Sequence, residues 1–231
     1  MHNQWERTKL LIGEAGVEML HNSAVIVFGV GGVGSFAVEA LARAGVGKIS
    51  LVDPDIVCFS NFNRQLSALH STVGKAKVAV LKERIKDINP NCQVEIFQEF
   101  YQKNNKEKFF LESYDYVVDA IDSVESKVEL IKHCIDFDVP VVSAMGAGNR
   151  LNFTGFRVGD ISETYGCPLA KIVRKKLRGL GVEKGVAVVF SPEPIIPVEG
   201  SRKIGSISFI PPIVGMMLAG VAVNEILKKI L

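Results

Sequence analysis

Cysteine is scarce in this chain and never paired at short spacing. The 231 residues include four cysteines, and Cys58, Cys92, Cys134 and Cys167 lie far apart. Neither a disulfide framework nor a Cys-x-x-Cys zinc clamp can be built from such spacing, so no zinc is expected, and the thiols suit a reducing cytoplasm. Charge of one sign is missing too. The formal net charge is +2, so attraction to a polyanion would have to come from a local patch. Long apolar runs are also wanting. The stretch 211–223 meets Asn224 and Glu225, short of the roughly 20 residues a membrane span needs. It reads as a buried or subunit-contact helix in which Gly215, Ala219 and Gly220 allow close packing. Polar residues through Lys9 argue against a signal peptide. No linker, repeat or low-complexity tract divides the chain. With 48% hydrophobic residues, a single domain over residues 1–231 is the natural reading.

What is present begins with the apolar β-branched run Ala24–Phe28 and the glycine-rich stretch Gly29-Val30-Gly31-Gly32-Val33-Gly34-Ser35. A helical pattern follows over 36–44, and a second strand over 49–52 ends in Asp53. Glycines at a strand-to-helix turn let backbone approach a phosphate, and the helix start offers free N–H groups and a positive dipole end. Asp53 stands where an acid can accept hydrogen bonds from a ribose. This half of the pattern does not separate NAD from ATP.

The residues that follow do. Arg64 lies among Asn61, Asn63 and Gln65, and Lys77 closes Gly74-Lys75-Ala76-Lys77. Cations so placed suit the charged phosphates of ATP, and a dehydrogenase has no use for them. Asp119 and Asp122 follow a third apolar strand, at the edge where doubly wound sheets bind ligands. Asp122 is the candidate for Mg²⁺, which takes one or two carboxylates together with phosphates. Asp119 is expected to be structural.

Alternating strand and helix patterns predict an α/β fold, a doubly wound, Rossmann-like, mostly parallel sheet with antiparallel strands added in the C-terminal third. Later strands are expected at Gln93–Phe97, 116–118, 139–143, 185–190 and 206–209, the last two antiparallel. Residues 191–205, with three prolines, read as a long loop over one face. Cys92 and Cys134 read as small buried hydrophobes, and Cys167 as a loop thiol near the site. In 168–181, Lys171, Arg174, Lys175, Lys176 and Arg178 fall within about two turns with no interleaved acids. Lys171, Arg174, Lys175 and Arg178 are therefore candidate phosphate contacts for RNA.

Taken jointly, these motifs resemble the adenylating enzymes that activate ubiquitin-like proteins and sulfur carriers, the ThiF-type family. The pieces are Gly29-x-Gly31-Gly32-x-Gly34-Ser35, Asp53-x-Asp55, Ser60-Asn61-x-Asn63-Arg64-Gln65, Gly74-x-x-Lys77 and Asp119-x-x-Asp122. They cover about the first two-thirds of the chain. The resemblance implies attack of a carboxylate on the α-phosphate of ATP, giving an acyl-adenylate and pyrophosphate. It assigns the ribose to Asp53, phosphates to Asn63 and Arg64, the pentavalent phosphorus to Lys77, and Mg²⁺ to Asp122. Gly29, Gly31, Gly32, Gly34, Asp55, Asn61 and Gln65 complete the implied ATP site. The segment from Arg7 to Glu14 is similar to the family's opening, where an arginine reaches ATP in the neighbouring subunit of a homodimer. That role would fall on Arg7, while the family's earlier arginine is replaced by Gln4.

The last third is similar to the zinc-free branch that dehydrates threonylcarbamoyladenosine in tRNA. That resemblance implies tRNA as partner, with residues from about 150 onward serving substrate and dimer contacts. Two other functions stay open: adenylation of a carrier protein's carboxy terminus, and an ATP-binding scaffold for a cysteine desulfurase. A bound monovalent cation is left undecided.

Overall fold

The computed structural model describes residues 4–197 and 204–228. Among them are seven strands: β1 (Ala24–Phe28), β2 (Lys48–Val52), β3 (Gln93–Phe97), β4 (Tyr116–Asp119), β5 (Val141–Ala144), β6 (Arg157–Asp160) and β7 (Ala187–Phe190). The helices are α1 (Glu6–His21), α2 (Gly34–Ala44), α3 (Lys77–Ile88), α4 (Val124–Asp136), α5 (Pro168–Gly179) and α6 (Ile210–Leu227).

The sheet order is β3-β2-β1-β4-β5-β7-β6, parallel except for the β6–β7 pair. Successive residues of a strand face opposite sides, and β1 serves both layers. Val25 and Val27 pack with Leu20 of α1, Leu41 of α2, Leu81 of α3 and Leu218 of α6. Ile26 and Phe28 pack on the other face with Phe109, Ile131 of α4 and Leu177 of α5. Hence β1 reads as a continuous apolar run, as a strand covered on both sides must.

The chain winds outward in one direction from β1 to β3 and in the other from β4. A crevice opens where that order reverses, beyond the carboxyl ends of β1 and β4. Phe28 is in register with both Val52 and Asp119. Gly29, Asp53 and Ala120 therefore leave the sheet side by side.

Four expectations for the C-terminal third need correction. Residues 206–209 form no strand; they run as an irregular segment into α6, tied down where Asn63 donates to the Ser206 carbonyl at 3.0 Å. β7 is parallel to β5. The antiparallel partner is β6, whose residues 157–160 carry no apolar alternation and are only partly covered. Of the expected loop, 198–203 lie outside the described residues. The predicted helix at 211–223 extends to Leu227 and is then long and apolar enough to cross a membrane, yet half of it is buried inside the protein. Its Gly215 meets the start of α2, where a Cβ would sit 2.2 Å from the Val33 carbonyl oxygen. Gly220 has nothing within 4 Å and plays no such part in this chain.

Candidate active site

The crevice is a cavity of about 830 Å³, within the range of small-molecule sites. It is lined by Gly29, Gly31, Gly32, Asp53, Asp55, Asn61, Arg64, Gln65, Lys77 and Asp122, all singled out from the sequence.

Its floor is the turn from β1 to α2. Gly29 holds φ +80°, and a Cβ there would lie 2.6 Å from the Ala120 carbonyl oxygen, so only glycine fits. Gly34 does not line the cavity. A Cβ on it would meet the Gly29 carbonyl oxygen at 1.8 Å, so it closes the turn from inside. Gly31 differs: the nearest atom to a Cβ there is Gln65 Nε2, at 3.6 Å. The protein itself does not require glycine at position 31, whereas a phosphate on the exposed backbone would. Gly34→Ala is therefore expected to unfold the turn. Gly31→Ala should keep the wild-type melting temperature and lose on the order of tenfold or more in nucleotide affinity, since an added methyl excludes the phosphate from the helix N-terminus. Melting curves and a nucleotide titration separate the two variants, and unchanged affinity in Gly31→Ala would refute the phosphate site.

Asp53 braces this turn. Its carboxylate accepts from the Val30 N–H at 2.8 Å and from the Asp55 N–H at 2.9 Å. Burial raises its pKa against the opposing pull of these N–H groups and of Lys77. Each oxygen keeps a lone pair for a ligand hydroxyl.

Lys77 is the first residue of α3, is buried, and pairs with Asp55 at 2.7 Å. A cation at a helix N-terminus has the unfavourable sign for the dipole, so its position there favours an anion in the cavity. Arg64 adds a second cation, its Nη1 donating to the Ser60 carbonyl at 3.0 Å and to Asn63 Oδ1 at 2.8 Å. Among the described residues it has no carboxylate partner. Gln65 is buried, and its Oε1 has no hydrogen-bond partner among the described residues, so a ligand donor would satisfy it.

Asn63 does not line the cavity; its Oδ1 accepts from Arg64 Nη1 and its Nδ2 donates one N–H to the Ser206 carbonyl, so it holds Arg64 in place. Asn61 accepts the Cys58 N–H at 2.9 Å, holding the same loop.

Two acids stand at the carboxyl end of β4 and differ in their surroundings. Asp119 is fully buried and accepts from Lys127 Nζ at 2.8 Å, Ser143 Oγ at 2.6 Å and the Ile121 N–H at 3.0 Å. Asp122 is exposed on the cavity wall and has no ion pair among the described residues. A free carboxylate facing a phosphate site is the hard oxygen donor that Mg²⁺ accepts with few protein ligands.

Arg7 lies on exposed α1 surface and does not line the cavity. Lys171, Lys175 and Arg178 are exposed on α5, whereas Arg174 turns inward to the Thr164 carbonyl and hydroxyl. Its guanidinium fastens α5 to the preceding turn and is withdrawn from the displayed patch. Cys167, expected as a loop thiol near the site, is the residue before α5, is buried and borders the cavity. Cys92 and Cys134 are buried in the core as read, and burial pushes the Cys92 thiol up to about 11.

Two features escaped the sequence reading. One is the Lys127–Asp119 pair. The other is Arg150, which lines the cavity from the loop after β5. Its signal was a lone arginine ending Gly146-Ala147-Gly148-Asn149, with no acid nearby in sequence.

Comparisons with known proteins show the family to which this fold and sequence belong. A curated tRNA threonylcarbamoyladenosine dehydratase of Bacillus subtilis is 48% identical, with 100% of this chain and 97% of the relative covered. The crystal structure of the E. coli tRNA N6-threonylcarbamoyladenosine dehydratase with AMP superposes with a TM-score of 0.93 at 37% identity, over 99% of this chain and 97% of that one. The same enzyme with ATP gives 0.93 and 37%, over 98% and 94%. The description of the ThiF family matches residues 6–231, and the chain belongs to that family.

Proposed function

We propose that this protein uses ATP to adenylate the threonine carboxylate of N6-threonylcarbamoyladenosine in tRNA, after which the nucleoside closes a ring with net loss of water. The observation that carries this reading is the gathering of Lys77, Arg64 and the α2 N-terminus around one crevice, with Asp122 on its wall. These groups complement a triphosphate. The similarity to dehydratases along the full chain favours tRNA over a carrier protein.

In this mechanism a carboxylate oxygen attacks the α-phosphorus, the bond to the β-phosphate oxygen breaks, and pyrophosphate leaves. The carbamoyl group of the same nucleoside then attacks the activated carbonyl carbon. The ring bond forms, AMP departs with the electron pair, and a carbamoyl proton passes to solvent. Lys77 stabilises charge at the α-phosphate, Arg64 neutralises the leaving pyrophosphate, and Asp53 accepts from the ribose. Asp122 would hold Mg²⁺, which supplies further charge neutralisation when bound. No side-chain base is needed for the first step, because the attacking carboxylate is already ionised.

The α5 helix begins at the cavity, which Cys167 just before it and Pro168 and Leu169 of its first turn line. RNA phosphates along Lys171, Lys175 and Arg178 would leave the modified base facing the crevice, and binding should weaken with added salt. We assign the working unit as a homodimer in the cytoplasm. Leu10 and Leu11, beside Arg7, are 86% and 87% exposed, an apolar face suited to a second copy.

The test is incubation with ATP, Mg²⁺ and modified tRNA, then mass spectrometry of the digested nucleosides. ATP-dependent loss of one water from the modified nucleoside is expected. An unchanged nucleoside, with pyrophosphate released only when a carrier protein is supplied, would overturn the tRNA reading.

A further inference from the structure

The nucleotide-handling residues account for only part of the cavity. Its other wall is the loop after β5, Met145 to Arg150, faced by Cys167, Leu169, Ile195 and Ile204. Arg150 is the cation on that wall and is only 6% exposed.

Among the described residues, every hydrogen bond its guanidinium makes is to a neutral oxygen. Nε donates to the Gly146 carbonyl at 3.1 Å, and Nη1 to Ser191 Oγ at 3.1 Å and to the Glu193 carbonyl at 2.5 Å. Nη2 donates to the Ser191 carbonyl at 3.2 Å. A guanidinium has five N–H donors, so among the described residues one on Nη2 is left over. No carboxylate pairs with Arg150 among the described residues. An uncompensated buried charge is costly, and its carbonyl partners hold the group rigid without neutralising it.

The neighbouring residue fixes the surroundings. Asn149 sits at φ +56°. Its N–H donates to the Gly205 carbonyl, its Oδ1 accepts the Gly205 N–H, and its carbonyl accepts the Ile196 N–H. The loop is thereby laced to both 191–196 and 204–206, and Arg150 is held where wall and cover meet.

Resting on the function proposed above, we infer that Arg150 is the substrate-positioning residue that receives the carboxylate to be adenylated. The attacking group is an anion and must approach a triphosphate, which repels it. Lys77 and Arg64 stand on the glycine-turn side and are matched to phosphate. Arg150 stands on the other side of the same cavity, preorganised and without a carboxylate partner among the described residues. A carboxylate there gains a charge-assisted hydrogen bond and sheds repulsion, while Arg150 itself transfers no proton.

The test uses two anticodon stem–loop RNAs, one carrying threonylcarbamoyladenosine and one its threoninol analogue, in which an alcohol replaces the carboxylate. Their affinities are measured with a non-hydrolysable ATP analogue present. The wild type should prefer the acid by ~10- to 100-fold, the worth of a hydrogen bond to a charged group. Arg150→Met should abolish that preference and raise the KM for modified tRNA, with ATP affinity unchanged. Arg150→Gln, neutral but able to keep some of the lacing contacts, gives the same readout if the methionine variant does not fold. Retained preference in either folded variant, or no preference in the wild type, would overturn the inference while leaving dehydration intact. Failure of the wild type to dehydrate tRNA would instead remove the function on which it rests.

Discussion

Replacing Lys77 by alanine is expected to lower the rate of tRNA dehydration by ~10²- to 10³-fold, the usual cost of removing one preorganised donor aimed at transition-state charge. The fold should tolerate the change. Asp55, its partner, is 57% exposed at the side chain, so water can replace the ammonium. ATP affinity should fall much less than turnover, because Arg64 and the α2 N-terminus still bind phosphate. Melting temperature, nucleotide affinity and single-turnover rate together check this, and a rate within threefold of wild type would refute the role. The same variant tests the dimer. Arg7 lies outside the cavity of its own chain. If it acts in the partner's site, mixing inactive Lys77→Ala subunits with inactive Arg7→Ala subunits should restore activity that neither has alone. One site of each mixed dimer then holds both native residues. No restoration after subunit exchange would place Arg7 elsewhere.

The part of the site that could be read from sequence is the part built from neighbours in sequence. Gly29 to Gly34 between an apolar strand and a helix, with Asp53 on the next strand, is a local grammar of turn and dipole. The register that sets Phe28 level with Val52 and Asp119 then delivers those residues to one edge. Lys77 was legible as a cation but not as a buried one, because its burial depends on how the loop 53–76 folds back through Asp55. The bond from Asn63 Nδ2 to the Ser206 carbonyl, far along the chain, was equally out of reach of the sequence. The strand pattern failed where tertiary cover decides. Ser206-Ile207-Ser208-Phe209 alternates like a strand yet lies irregularly ahead of α6, while β6, four residues including Gly159, pairs without any apolar alternation. The place of Arg150 in the cavity wall was hidden for the same reason, since its partners at Ser191 and Glu193 are some forty residues away.

The largest loss of stability is expected from Lys127→Met. Both members of the Lys127–Asp119 pair are fully buried and 2.8 Å apart, and Lys127 also reaches Ser143 Oγ at 3.2 Å. Removing the ammonium leaves Asp119 as an uncompensated charge between β1 and β5, with an expected cost of about 3–5 kcal/mol. For a chain of this size that corresponds to a fall in melting temperature of ~6–20 °C. Asp119→Asn in the same chain removes the stranded charge and preserves an acceptor for the Ile121 N–H and a partner for Ser143. The double variant should therefore recover most of the loss, giving a positive coupling in the mutant cycle. Activity should follow the geometry as well as the stability. Asp119 Oδ1 holds the Ile121 N–H, the residue before Asp122, so a displaced Asp119 moves the proposed Mg²⁺ ligand. At a temperature where Lys127→Met is still folded, its requirement for Mg²⁺ should rise, and the double variant should return it toward the wild-type value. Equal melting temperatures for Lys127→Met and wild type would mean that the pair contributes nothing net. A restored fold with an unrestored Mg²⁺ requirement would separate the support of Asp122 from the charge pair beneath it.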